Sequence, residues 1–279
     1  MNIGIIGVGL MGGSIGKTAI KRDLATVYGT DNKEVLQKAF LTNALNYELT
    51  DENIALIDIL FVCVYPRQIP DVLKKYVPKL KKGAIVCDIG GNKRSIVECM
   101  EILNKEYPDI NFIASHPMAG REFTGVSHSI TTLYEKSSFI LIPVNASLDS
   151  ISTLKDFVTN LGATDIIYTN AINHDKMIAY TSQLCHIVSS AFVKNEKAKL
   201  YFGYSAGSFK DLTRVAKLNP IMWGENMIDN RENLVEDIDI LILELQKYKN
   251  ALQNNDITEL QMLLSQGTQI KESLKDKTK

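Results

Sequence analysis

Cysteine is scarce in this chain. Four stand among 279 residues, Cys63, Cys87, Cys99 and Cys185, and no two form a C-x-x-C pair. That spacing offers no disulfide framework, and three of the four lie in apolar segments, so buried free thiols in a reducing compartment are expected. No metal site is expected either. An excess of one charge is also missing: 31 Lys and Arg against 32 Asp and Glu leave a formal net charge of -1. Nothing therefore favours nucleic acid or an anionic membrane, and any anion site must be built from a few local groups. No apolar run approaches the roughly 20 residues of a membrane-spanning helix. Met1-Asn2 leads straight into a strand-like run, with no targeting segment. A soluble, cytoplasmic protein is the expectation. The rest is ordinary globular composition, 45% hydrophobic and 23% charged, in a chain long enough for one large domain or two.

Short apolar runs alternate with amphipathic segments in the first part. Strands are expected at 3–8, 26–30, 57–64, 84–89, 112–114, 139–144 and 165–168. Helices are expected at 11–21 and at 150–161, the second ending on Gly162. The unbroken apolar run at 57–64 suits a strand covered on both faces. This alternation predicts an α/β fold, with a Rossmann-type doubly wound sheet over residues 1–169. No strong strand signal recurs after Thr169, so residues 170–279 are expected to form an all-helical C-terminal domain. One helix should cover 174–193 with Asn173 as N-cap, and another 208–217, stopped near Pro220. Beyond Glu232, Leu234, Ile238, Leu241, Leu245, Tyr248 and Leu252 recur at heptad-like spacing. That stripe reads either as the buried face of a helix in this domain or as a dimer seam. The Lys-rich end, 271–279, is expected to fray.

Gly7-Val8-Gly9-Leu10-Met11-Gly12 fits G-x-G-x-x-G, after a strand and opening a helix, the context that a dinucleotide site requires. Gly7 permits the tight turn, Gly9 the approach of a pyrophosphate, and Gly12 close packing of helix on strand. The helix N-terminus then presents free N–H groups to the phosphates. Asp31, after the second strand, would accept from ribose hydroxyls and repel a 2′-phosphate, favouring NAD over NADP. It also reads as a cap for the next helix, and Lys33 close by leaves weak NADP use open. Val64, Tyr65 and Pro66, after the strand at 57–64, are expected to border the cofactor, as is Gly91.

Of the four histidines, His116 follows the strand at 112–114, at the sheet end where ligands gather. A neutral imidazole there could accept a proton from a substrate hydroxyl as hydride leaves the same carbon. Its position fits equally a histidine satisfied by loop backbone. Asp211 and Arg214 share a helix face. They read as a surface ion pair or as a guanidinium placed for a carboxylate.

Two segments carry more. Ser115-His116-Pro117-Met118-Ala119-Gly120-Arg121-Glu122, and Asp211-Leu212-Thr213-Arg214 followed by Asn219-Pro220-Ile221-Met222-Trp223, resemble the prephenate/arogenate dehydrogenase family. The resemblance covers nearly the whole chain. It implies that His116 hydrogen-bonds the substrate's ring hydroxyl and assists hydride transfer to NAD. It implies further that Arg214 binds a substrate carboxylate with Asp211 orienting it, and that Glu122 shapes the pocket. Trp223, the only tryptophan, would wall the pocket, and Gly207 would let its helix start close by. Ser182-Gln183-Leu184-Cys185-His186 is similar to the family's Ser-His-Leu-Pro-His. The last histidine matches, which assigns His186 to substrate binding, while Gln183 and Cys185 depart. His174-Asp175 matches the His-Asp that opens this helix and reads as structural. His128 matches nothing and is expected at the surface. Asp88-Ile89-Gly90-Gly91-Asn92-Lys93 takes the place of the family's Asp-x-Gly-Ser-x-Lys. The serine that assists the catalytic histidine is Gly91 here, and Ser115 is a nearby candidate to supply the hydroxyl.

The implied activity is NAD-dependent oxidative decarboxylation of prephenate to 4-hydroxyphenylpyruvate in tyrosine biosynthesis, by a homodimer formed through the C-terminal helices. Arogenate is the alternative substrate, and the motifs do not separate the two. A β-hydroxyacid dehydrogenase would share the glycine motif, but its lysine-centred catalytic segment is not apparent. A non-catalytic NAD-sensing module would leave His116 and Arg214 without a joint role.

Overall fold

In the computed structural model, which describes residues 1–274, the apolar runs become the strands of one sheet. These are β1 (Asn2–Ile6), β2 (Thr26–Thr30), β3 (Tyr47–Glu48), β4 (Ile59–Val62), β5 (Ile85–Asp88), β6 (Asn111–Pro117), β7 (Ser138–Asn145) and β8 (Asp165–Tyr168). Their spatial order is β3-β2-β1-β4-β5-β6-β7-β8. All neighbours run parallel except β6 and β7. The central strands lack polar alternation because both faces are covered. Ile3, Ile5, Phe61 and Cys87 enter one buried cluster, while Ile6, Leu60, Val62 and Val86 enter the other. Helices α1 (Leu10–Lys21), α2 (Lys33–Leu41), α3 (Ile69–Tyr76), α4 (Arg94–Glu106) and α5 (Leu148–Asn160) complete this α/β arrangement. Strand order reverses at β1, between β2 and β4. The crevice at the carboxyl ends of these strands is the usual ligand position in such sheets.

Two local departures bear on the site. β6 runs on to Pro117 instead of stopping at Ala114, so His116 lies inside the strand, opposite Ile140 of β7. Ser-His-Pro carries no strand signal of its own, and pairing with β7 imposes the conformation. Helix α2 is capped by Asn32, whose side chain accepts from the Val35 N–H, and not by Asp31.

After β8 come α6 (Ala171–Ile178), a π-helical segment (Ala179–Leu184) and α7 (Cys185–Phe192). Asn170 caps α6 by accepting from the Asn173 N–H, so the helix begins earlier than the expected Asn173 cap. Helix α8 (Ser208–Thr213) stops well short of Lys217. Asn219 caps α9 (Pro220–Asp229), with Pro220 in its first turn, where a missing N–H costs nothing.

The chain divides into two compact units, the first Met1–Asn230 and the second starting at Arg231. Helices α6 to α9 belong to the first unit, so this division falls later than the change of sequence pattern after Thr169. Buried hydrogen bonds explain why. Asn92 donates to the Asn226 carbonyl, and Asn230 donates to the Asp175 carbonyl and to Gln183. The second unit holds α10 (Arg231–Gln253) and α11 (Ile257–Ser273), with the Tyr248 hydroxyl donating to the Leu263 carbonyl. On the heptad stripe Leu234 is buried, but Leu245 and Leu252 are 59% and 64% exposed. The reading of the stripe as simply a buried face therefore fails over the second half of α10. Lys271 lies within α11, and residues 275–279 of the expected fraying end lie outside the described residues. Among the described residues no helix is long and apolar enough to cross a membrane.

The turn after β1 sets a stability test. Gly7 has φ +92°, and a Cβ there would sit 2.6 Å from the Cys63 carbonyl oxygen, whereas a Cβ on Gly9 meets nothing within 4 Å. Gly7→Ala should cost about 2–4 kcal/mol, from left-handed strain plus overpacking. Gly9→Ala should stay within roughly 0.5 kcal/mol. Urea midpoints at unchanged slope would check both.

Candidate active site

The glycine turn is held by its backbone. Gly7 N–H donates to the Thr30 carbonyl, and Val8 N–H donates to Asp31 Oδ2 at 2.8 Å. Asp31 Oδ1 accepts from the Asn32 N–H, so this carboxylate ties the turn to the end of β2. Gly12 packs against the Gly7 carbonyl and Ile5, which leaves no room for a side chain. Leu10 and Met11 open α1, whose N-cap, Gly9, brings no side-chain cap and whose first turn has no acid. The first N–H groups of α1 are thus left without a side-chain acceptor, and an anion is favoured there. Val64 lies beside Gly7, and Tyr65-Pro66 begin a short turn at the carboxyl end of β4. Arg67 in that turn forks onto Asp229 of α9, at 3.2 and 2.8 Å. These residues fit a dinucleotide.

Beside this edge lies a buried polar layer. Lys93 Nζ meets Asp88 Oδ2 at 2.5 Å, with neither side chain exposed. Asp88 also accepts from the N–H groups of Gly90 and Ser115, which pins the 88–93 turn to β6. Asp175 of α6 accepts from the Lys93 N–H at 2.8 Å and the Arg94 N–H at 3.0 Å, so it caps α4 from another element. The same carboxylate meets His174 Nδ1 at 2.7 Å, and His174 Nε2 lies 2.9 Å from His116 Nδ1. His116 Nε2 has no hydrogen-bond partner among the described residues. Burial pushes the His116 pKa well below its usual 6.5, with the Lys93 ammonium and His174 adding to the effect. Burial lowers His174 as well, against the raising effect of Asp175. Both rings are therefore neutral near pH 7.

His174 is the residue that sequence reasoning underrated. It reads there as structural, yet it touches His116 directly. The signal was the His-Asp pair itself, without any indication of what the far ring nitrogen meets.

Ser115 needs a correction. Its hydroxyl donates to the Asp88 carbonyl and meets the Cys87 thiol. Successive side chains on a strand face opposite ways, so this hydroxyl is turned away from His116. At Gly91 the neighbour is Asn226: a Cβ there would lie 3.2 Å from Asn226 Oδ1, a buried oxygen with no partner. Gln183, in place of a family histidine, donates to Asn92 Oδ1 and to the Asn226 carbonyl.

His186 Nδ1 lies 2.7 Å from the Ser182 carbonyl. A carbonyl only accepts, so this nitrogen carries a proton. The His186 ring packs on Trp223, with centroids 4.0 Å apart and the ring planes tilted by 30°. Arg214 is corrected in its partner. Its guanidinium lies 3.6 Å from Glu122 Oε1, and among the described residues it makes no ion pair with Asp211. Arg214 is the C-cap residue of α8 and keeps helical backbone angles, φ -52° and ψ -39°. Gly207 is exposed, and a Cβ there would make only ordinary contact with Asp211 at 3.6 Å, so space does not demand a glycine. His128 is exposed and stacks on Phe123.

Residues 17–167 match the model of the prephenate dehydrogenase nucleotide-binding domain, and residues 170–266 that of the prephenate dehydrogenase dimerization domain. The chain is 30% identical over 267 residues to a cyclohexadienyl dehydrogenase of Zymomonas mobilis, across 91% of this chain and 89% of that protein. It is 28% identical over 284 residues to a prephenate dehydrogenase of Lactococcus lactis, across 97% and 76%. Among solved structures, prephenate dehydrogenase from A. aeolicus in complex with hydroxyphenyl propionate and NAD+ superposes with a TM-score of 0.84. The identity is 28%, over 98% of this chain and 97% of that one. A Synechocystis arogenate dehydrogenase, 24% identical over 98% and 99%, shares the fold with a TM-score of 0.81.

The Lys93–Asp88 pair is testable by itself. Lys93→Met leaves a carboxylate buried without its cation and should cost about 3–5 kcal/mol. Adding Asp88→Asn should cost less than the sum of the two single changes, and strict additivity in urea denaturation would show that the charges are not coupled.

Proposed function

This chain belongs to the prephenate dehydrogenase family, and from that premise we propose that it converts prephenate to 4-hydroxyphenylpyruvate with NAD. The observation that carries this reading is the unpartnered Nε2 of a neutral His116, at the end of the Asp175–His174 chain and beside the nucleotide edge. Bound NAD supplies the carbon that accepts hydride.

The chain's own residues do the rest. The backbone of Gly7, Val8, Gly9, Leu10, Met11 and Gly12 receives the pyrophosphate. Asp31 accepts two hydrogen bonds from Asn32 on Oδ1 and one from Val8 on Oδ2, so Oδ2 keeps a lone pair for a ribose hydroxyl, and the charge repels a 2′-phosphate. Val64, Tyr65, Pro66 and Gly91 would border the bound cofactor. Arg214 takes a substrate carboxylate, with Glu122 to orient it, and Asp211 stands three residues earlier on α8. His186 and Trp223 wall the ring, and Gly207 opens the helix that carries Asp211. His116 Nε2 accepts the hydroxyl proton as hydride leaves the same ring carbon. The carbonyl forms there, carbon dioxide leaves from the opposite ring carbon, its electron pair makes the ring aromatic, and the oxygen takes its proton back from His116. Aromatisation makes the step strongly downhill, so the protein needs mainly alignment, a proton acceptor and a grip on two carboxylates. The exposed leucines of α10 and the dimerization-domain match support a homodimer formed through the C-terminal helices. Sedimentation of the full chain at the monomer mass would sink that part.

NADH formation from NAD with prephenate or arogenate tests the reading, and the ratio of the two kcat/KM values names the preferred substrate. No NADH from either, with NAD still bound, overturns it in favour of an NAD-sensing module. His116→Asn should lower kcat by about 10²- to 10⁴-fold with KM nearly unchanged. Arg214→Ala should raise KM roughly 10- to 100-fold, the loss of a charged hydrogen bond. Since His116 works as a neutral base and its pKa is lowered, kcat/KM should fall on acidification only below pH 6.5. An acid limb above that value would contradict the burial-driven shift.

A further inference from the structure

We propose that His174 is a positioning residue: held by Asp175, it fixes His116 as the tautomer with its proton on Nδ1, so that Nε2 is the proton acceptor. This rests on the reading of His116 as the base.

Donor and acceptor counting gives the tautomer. Three N–H groups converge on Asp175, from Lys93, Arg94 and His174 Nδ1, and its side chain is 1% exposed. A carboxylate can only accept, so His174 Nδ1 carries its proton. In a neutral ring His174 Nε2 is then a bare lone pair. It lies 2.9 Å from His116 Nδ1, so that nitrogen must be the donor. A neutral His116 therefore has its lone pair on Nε2. The opposite state shows what is at stake. A second proton on His174 would make its Nε2 a donor, strip the proton from His116 Nδ1 and move it to Nε2, the wrong nitrogen. The groups that face this pair oppose that state on balance: burial and the Lys93 ammonium disfavour a charged His174, against Asp175 and Asp88. Arg94 Nε, 3.7 Å from Asp175, adds positive charge on the same side.

The family serine is Gly91, and the Ser115 hydroxyl is committed to Asp88. Among the described residues His174 is the one side chain that hydrogen-bonds the His116 ring.

The test is ¹⁵N NMR of histidine-labelled full-length protein with NAD bound, with His116→Asn to assign the signal. The expected result near pH 7 is His116 with Nδ1 protonated and Nε2 bare. A native protein with the proton on Nε2 overturns the proposal. His174→Leu removes the acceptor and should give mixed tautomers. Its kcat should drop between about 10-fold and 10⁴-fold, the upper figure being that of a rigidly held wrong tautomer, with KM and NAD affinity within about twofold. His174→Gln places an amide oxygen near the lost Nε2 and should recover the tautomer and most of kcat. Unchanged tautomer and kcat in His174→Leu, or equal losses in both variants, would reduce His174 to packing. Should the leucine variant fail to fold, the native spectrum and the glutamine variant still decide. The tautomer is read without substrate, so its outcome is separate from whether prephenate is turned over.

Discussion

Asp175 holds three parts of the site in register. Its two oxygens cap the start of α4 through Lys93 and Arg94 and at the same time grip His174 of its own helix. A helix N-terminus favours negative charge, so the cap and the macrodipole act in the same direction. Because α4 starts where the 88–93 turn ends, the carboxylate also fixes that turn, and with it Gly91 and Asn92. His116 enters from β6, through His174. Three elements distant in sequence thus converge on one side chain with almost no solvent contact.

A buried charge pair lies beside it. Lys93 and Asp88 are both fully buried, and ion pairs of this kind cost more to assemble than they return unless every remaining donor and acceptor is matched. Here Asp88 takes two further backbone N–H groups, so the matching is good. The gain is electrostatic. Burial disfavours the charged form of both imidazoles and the fixed ammonium adds to it, which keeps them in the state a proton-accepting histidine needs. Stability and chemistry are linked here: the charge that anchors the turn adds to the burial that disfavours an imidazolium at His116.

This explains what the sequence could and could not disclose. The glycine turn, the His116 segment and the Arg214-to-Trp223 segment are legible because each is a local run whose residue types carry their own chemistry. The central strands are legible because burial on both faces leaves an unbroken apolar signature. His174, Asn226 and the length of β6 are not, because each depends on a partner far along the chain: His116, Gly91 and β7. The stripe on α10 is half legible. Its period announces a helix, yet its exposed leucines show that period alone does not say what covers a face.

Two departures from the family pattern meet in a single network. Gln183, where the family has histidine, bonds Asn92 and the Asn226 carbonyl, and Asn230 bonds Gln183 in turn. Gly91, where the family has serine, faces Asn226 Oδ1 so closely that a Cβ would have to push it aside. The two changes act together: a neutral amide replaces a ring that could titrate, and a hydroxyl that could have bonded His116 is gone. Neither position can then decide which nitrogen of His116 bears the proton. That decision passes to His174, whose own proton is settled by the carboxylate that caps α4, so the helix cap and the choice of reactive nitrogen rest on the same two oxygens.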